Sequence, residues 1–240
     1  TLAFCERGED GENRYAFYAD ASADRSLEEG DLPLRLPPES RFLLVGSISL
    51  VLEPGASAIR KLVERENGRV LVSFDPNVRP SLIFDRKAYG RLFEWFCARS
   101  AIVKASLADL AWIYGDRAPD DLADRILSLG ACAVFITEGD KGSAAHTRKA
   151  AARAEAVPVP VVDTIGAGDT FHAAILAALD RRGVAERSTI EALTSGDLRD
   201  LLEFASEAAA LNCTREGADP PTWREVAERF PADRVINTAF

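Results

Sequence analysis

The sequence predicts an α/β fold: a doubly wound, mostly parallel sheet with helices on both faces, plus a small antiparallel β unit at the start. Three observations carry this expectation. Short apolar or β-branched runs alternate along the chain with longer stretches of helical pattern, and repeated strand-then-helix units pack as a parallel sheet covered by helices. A run such as 70–74 is apolar throughout, as suits a strand buried on both sides. With 47% hydrophobic and 28% charged residues, the 240-residue chain can build one large core, or a core with a small appendage.

The elements follow in order. Residues 1–5 and 14–19 are short apolar and aromatic runs around the polar break Arg7–Gly11, which reads as a hairpin. The segment 20–38 is rich in Asp, Glu and Pro and reads as connection. Strands are expected at 42–47, 70–74, 101–103 and 132–136, and helices at 56–66, 86–98, 107–114 and 120–129. Further helices are expected at 169–181, 198–212 and 222–229, with an apolar strand at Val161–Val162 leading into the first of them. The Ala-rich stretch 149–156 reads as a loop.

A formal charge of −9 argues against a nucleic-acid surface, which needs a basic footprint. It leaves room for a nucleotide, whose charge backbone N–H groups and Mg²⁺ can meet locally. Cys5, Cys97, Cys132 and Cys213 are scattered without a CxxC pair, so reduced core cysteines in a cytoplasmic protein are expected. No signal peptide and no long uncharged apolar run suggests secretion or membrane spanning. The sequence has no methionine and opens inside a strand-like run, from which a longer translated product is expected.

The chemistry concentrates in Val161-Val162-Asp163-Thr164-Ile165-Gly166-Ala167-Gly168-Asp169-Thr170-Phe171. Here a turn of small residues opens a helix. Gly166, Ala167 and Gly168 let a ligand approach the backbone, and the N–H groups at a helix start carry roughly half a positive charge. Such a turn is an anion hole. Asp169 at its mouth can take the proton of an alcohol attacking a phosphoryl group, a reaction that needs mainly positioning and charge stabilisation. A plain helix cap is the alternative role for Asp169. The absence of GxxxxGK[ST], and of a protein-kinase Gly-rich loop with HRD and DFG, removes those kinase classes. A dinucleotide-dependent dehydrogenase would need a GxGxxG early in the chain.

The run Asp-Thr-x-Gly-Ala-Gly-Asp-Thr-Phe resembles the signature of the ribokinase (PfkB) family of carbohydrate kinases, in which the last Asp is the base. Other segments extend the resemblance along the chain and bring it nearest the bacterial fructokinases. Thr137, Gly139 and Gly142 match the family's Thr-x-Gly-x-x-Gly nucleotide loop. Ser106 and Asp109 stand where members usually carry Asn-x-x-Glu beside Mg²⁺ and the phosphates, with capping of a helix as the other role for both. Asp75-Pro76-Asn77-Val78-Arg79 matches a segment whose Arg reaches toward substrate or phosphate, so Asn77 and Arg79 become substrate contacts, although Asp75 and Asn77 can also simply shape a turn. Val45–Leu50 with Glu53-Pro54, and Leu211–Ala218 with Pro220-Pro221-Thr222, resemble fructokinases.

The resemblance implies an ATP-dependent sugar kinase with D-fructose as acceptor, ATP and Mg²⁺ as cofactors, and a monovalent cation such as K⁺ held by Asp163, Ile165, Cys213, Glu216 and Ala218. It implies adenine contact by Ser206. It makes residues 1–20 part of a lid over the sugar, with Tyr15 among its sugar-facing or partner-facing aromatics and a homodimer formed through the lid, and leaves 21–240 as the nucleotide-binding and catalytic domain. The family's early Gly-Gly sugar-binding segment is absent from the sequence. A 2-keto-3-deoxygluconate or nucleoside kinase of the same fold, and a non-catalytic sugar or nucleotide sensor, are the competing readings.

Overall fold

The computed structural model describes residues 1–7, 13–231 and 234. Strands β1 (Leu2–Arg7) and β2 (Asn13–Tyr18) form a separate antiparallel pair. The main sheet has six strands in the order β3 (Phe42–Gly46), β4 (Leu71–Asp75), β5 (Ile102–Ser106), β6 (Ala133–Thr137), β7 (Ser143–Thr147) and β8 (Ala151–Ala154). The first four are parallel, and the last two turn back antiparallel. Among the described residues no helix is long and apolar enough to cross a membrane.

The pleat sorts side chains between two helical layers. Val72 and Phe74 of β4, Val103 and Ala105 of β5, and Val134 and Ile136 of β6 pack with α1 (Gly55–Glu66), α2 (Arg86–Cys97), α3 (Leu107–Tyr114) and α4 (Pro119–Leu129). The alternate residues Leu71, Ile102, Ala133 and Phe135 face α5 (Ala167–Arg181) and α7 (Ser195–Cys213), with the short helices α6 (Arg187–Glu191) and α8 (Trp223–Ala227) beside them. Helices thus cover both faces, as expected. The strand order from β3 to β6 runs without reversal, and the second face is covered by helices that come after the β7–β8 hairpin.

Two local expectations are corrected and one element is added. The Ala-rich stretch taken for a loop contains β8, because Ala145, Ala150, Ala152 and Ala154 let the hairpin lie close under the α5–α7 layer. Val161 and Val162 form no strand and are half exposed, following Pro158 and Pro160, which have no N–H to give a ladder. Helix α6 was not anticipated. Cys97 and Cys132 are buried as expected, whereas Cys5 is exposed on β1.

On the α1–α4 face, Phe74 stacks on Phe96 at 5.1 Å between ring centroids and meets Phe93 at 5.5 Å. Phe96 is 0% exposed, so Phe96→Ala should cost about 3–5 kcal/mol through lost burial and the cavity left behind. Urea denaturation should show a lower midpoint with an unchanged slope.

Candidate active site

The turn before α5 is built by what it lacks. Gly166 is the helix N-cap at φ +78, a left-handed conformation natural to glycine, and offers no side chain to the first-turn amides. The Ala167 amide donates to the Thr164 carbonyl at 3.2 Å, while those of Gly168 and Asp169 have no partner among the described residues. Two amides at the positive end of a 15-residue helix are therefore open to an anion. Asp169 is the third helical residue rather than the cap. Its carboxylate is exposed and unpaired among the described residues.

Neighbouring loops hold the turn rigid. Asn212, fully buried in α7, donates from Nδ2 to the Ile165 carbonyl at 2.7 Å, and its Oδ1 accepts from Thr170 Oγ1 at 3.3 Å. Asp163 accepts from the Ile165 amide through Oδ1 and from the Gly217 amide through Oδ2, both at 3.0 Å. The Val162 amide donates to the Cys213 carbonyl at 2.8 Å. The positions 163, 165, 213 and 218 converge on the turn, the Ala218 methyl lying 3.1 Å from where a Cβ on Gly166 would sit; Glu216 in the same loop is exposed.

Two clefts meet at this turn. The larger, about 750 Å³, is lined by Thr137, Gly139, Gly142, Ser106, Asp109, Arg79, Ala167, Gly168, Ser206 and Cys213, with Phe171, Pro158 and Val159 among its apolar walls. The buried Ser143 hydroxyl in its lining has no partner among the described residues. The smaller cleft, about 400 Å³, carries Asp169, Asp75, His172, Gly46 and Ser47 against an apolar side that includes Leu43, Leu44 and Ile59. Asn77 lines both. Asn77 and Ser47 adopt φ of +35 and +57, and Ser47 Oγ donates to the Asn77 carbonyl at 3.3 Å. For residues with a side chain, such backbone costs of order 1–3 kcal/mol each and tends to collect at ligand sites.

Arg79 Nη1 donates to Asn77 Oδ1 at 2.6 Å and to the carbonyls of Asn77 and Val78 at 3.1 Å. Ser106 and Asp109 form the capping box of α3. Asp109 Oδ2 accepts from the Ser106 hydroxyl at 2.7 Å, and Oδ1 accepts from the Val78 amide at 2.8 Å. The pair thus ties α3 to the loop bearing Asn77 and Arg79. Among the described residues no group of three His, Cys, Asp or Glu side chains is set to cage a metal.

Beneath the turn lies a buried polar cluster. Lys104 Nζ donates to Asp75 Oδ2 at 2.9 Å, with both side chains under 10% exposed. His172 of α5 has Nε2 at 2.6 Å from Ser73 Oγ and Nδ1 at 3.8 Å from Asp75 Oδ2. Burial opposes ionisation of Asp75, but the Lys104 ammonium and His172 outweigh it and hold its carboxyl below the ordinary range.

Residues 1–225 match the pfkB family carbohydrate kinase profile. The chain belongs to this family. A fructokinase of Rhizobium leguminosarum bv. trifolii is 36% identical over 202 residues, a match covering 83% of this chain and 61% of that protein. Fructokinase-1 of Oryza sativa subsp. japonica is 31% identical over 227 residues, covering 94% and 68%. Among solved structures, the fructokinase of Vibrio cholerae O395 in its fructose, ADP and calcium ion bound form superposes with a TM-score of 0.71 at 26% identity, over 89% of this chain and 66% of that one. An uncharacterized sugar kinase of Pyrococcus horikoshii shares the fold with a TM-score of 0.79 at 23% identity, over 98% and 71%. The chain thus spans about three fifths of the length of the Rhizobium relative.

In this pfkB-family chain, most residues singled out from sequence line the two clefts or brace the turn between them. Tyr15 and Glu216 are the exceptions: only the backbone of Tyr15, paired with Cys5, belongs to the described part, and Glu216 is exposed and lines neither cleft. Lys104, His172, Asn212 and Ser143 were not singled out, and Asp75 was read only as a possible turn former. A signal for two of them was present: Ser73, Asp75 and Lys104 are polar residues at alternate positions of strands otherwise buried on both faces.

Removing one member of the buried pair leaves an uncompensated charge. Asp75→Asn should therefore cost about 3–5 kcal/mol near neutral pH. Since the folded pKa of Asp75 lies below that of an ordinary carboxylate, its contribution is full above about pH 4 and is lost as pH falls through the lower folded value. Denaturation across pH 2–7 should show a shallower acid limb for the variant than for the native protein.

Proposed function

We propose that the protein is an ATP-dependent sugar kinase that transfers the γ-phosphoryl group to a sugar hydroxyl, with D-fructose as acceptor. The observation that carries the reading is the turn at Gly166–Asp169. It stands between two clefts, with open amides at its crest and an unpaired carboxylate facing the smaller one. ATP would occupy the larger cleft, its adenine toward Ser206 and its phosphates along Thr137, Gly139, Gly142 and Ser106. The sugar would occupy the smaller cleft beside Asn77 and Asp169, with Arg79 reaching toward substrate or phosphate and Tyr15 belonging to the lid.

Asp169 would accept the proton of the attacking hydroxyl as the new oxygen–phosphorus bond forms. The bond from the γ-phosphorus to the bridging oxygen breaks, and its electron pair leaves on ADP. The Gly168 and Asp169 amides, with the turn of Gly166 and Ala167, would stabilise charge on the transferred group. Mg²⁺ bound to ATP would supply charge neutralisation of the phosphates, and Asp109 in the lining of the larger cleft would be the residue to hold it. A monovalent cation held near 163, 165, 213, 216 and 218 would add positive potential behind the turn.

The fructokinase relatives, and the fructose and ADP named for the Vibrio structure, support this acceptor and donor. The hairpin supports the role of residues 1–20 as a lid and dimer contact: Leu2, Phe4 and Tyr18 are 65%, 61% and 64% exposed, a face suited to a second copy. The sensor reading keeps the fold but does not account for a carboxylate held unpaired at an anion hole.

ADP release should be measured with fructose, 2-keto-3-deoxygluconate, ribose and adenosine. Fructose should be the best acceptor; its being the poorest would overturn the assignment. Asp169→Asn should lower kcat by about 10²–10⁴-fold and leave ATP binding within a few-fold. A variant that turns over normally would remove Asp169 as the base.

A further inference from the structure

Among the described residues Lys104 is the only buried lysine. An ammonium has three donors, and here one partner, Asp75 Oδ2, accounts for its hydrogen bonds among the described residues. Lys104 lines the larger cleft together with Gly168, and a Cβ added to Gly168 would come within 2.9 Å of Nζ. The ammonium therefore occupies the space that a side chain at 168 would fill, against the first turn of α5.

That position runs against ordinary electrostatics. A helix N-terminus favours acids and disfavours cations, yet a desolvated cation is held there beside two unpartnered amides. Asp75 offsets one positive charge from below, on the side away from the larger cleft's lining. The remaining positive potential converges on the cleft, and an anion there would relieve it. The pair also joins the two clefts, since Asp75 and His172 line the smaller one with Asp169.

We infer that Lys104 is a further catalytic residue whose ammonium contacts the phosphoryl group in flight, and that Asp75, backed by His172, is the positioning residue that keeps the ammonium at the turn. The inference rests on the kinase reading above. The proton released by the acceptor goes to Asp169, and Lys104 contributes charge alone.

A purely structural ion pair and a catalytic one respond differently to loss of both charges. Replacing both members of a buried pair by neutral groups of similar volume is often tolerated by the fold. The double variant Lys104→Met with Asp75→Asn should therefore melt closer to the native protein than Asp75→Asn alone, and bind ADP within a few-fold. Its kcat should nevertheless fall by about 100-fold or more, the scale of losing one donor to transition-state charge, with the KM for sugar changed much less. A folded double variant with native kcat overturns the inference. Should that variant not fold, the native protein crystallised with ADP, acceptor and aluminium fluoride decides the matter. Nζ about 3 Å from a fluoride supports the contact, and Nζ beyond about 5 Å overturns it. Asp169→Asn is assayed in parallel. A native enzyme that is active, with Asp169→Asn inactive and the double variant active, sinks the Lys104 role alone. A native protein that phosphorylates none of the four acceptors sinks the kinase reading, and this inference with it.

Discussion

Everything at the site depends on unused hydrogen-bond donors of the backbone. Helix α5 begins with two amides that have no partner among the described residues, as the first turn of a helix leaves its N–H groups open to a cap, water or a ligand. Gly166 makes the gap by entering the helix in a left-handed conformation without a capping side chain. A Ser, Thr or Asp at that position would be strained at φ +78 and would bring its Cβ to 3.1 Å from the Ala218 methyl, so the conformation that leaves the amides open also keeps the usual capping residues out.

Keeping such a turn in one shape requires supports that do not themselves fill it. Asn212 and Asp163 provide them from outside: each holds backbone groups of the Ile165 turn while leaving the amides beyond it open. The same logic runs through Ser106 and Asp109, which tie α3 to the loop that carries Asn77 and Arg79. Rigid elements thus aim the groups, and the clefts lie where strand ends and helix starts meet, outside the carboxyl ends of the parallel strands.

The charge arrangement has a matching asymmetry. Asp75 is buried and held ionised by Lys104 and His172, whereas Asp169 is exposed and has no partner among the described residues. One carboxylate is committed to structure and the other is available for chemistry. Both line the smaller cleft, so pairing rather than residue type distinguishes the two aspartates.

The alternation of strand and helix, the small-residue turn and the signature around Asp169 were legible in the residues because each is a local pattern: hydrophobic period, glycine spacing, order along the chain. The hairpin β7–β8 and the irregular path through Val161–Val162 were not, because alanine suits several structures and its use here is set by the helices packed above it. Ser73, Asp75 and Lys104 were visible only as polar interruptions of buried strands, and His172 and Asn212 as ordinary helix residues. What the linear chain determined by itself was the fold class and the place of the small-residue turn. Tertiary structure alone decided which distant side chains brace that turn and which cation lies beneath it, because a strand's pleat and a helix's facing acquire partners only when the layers pack.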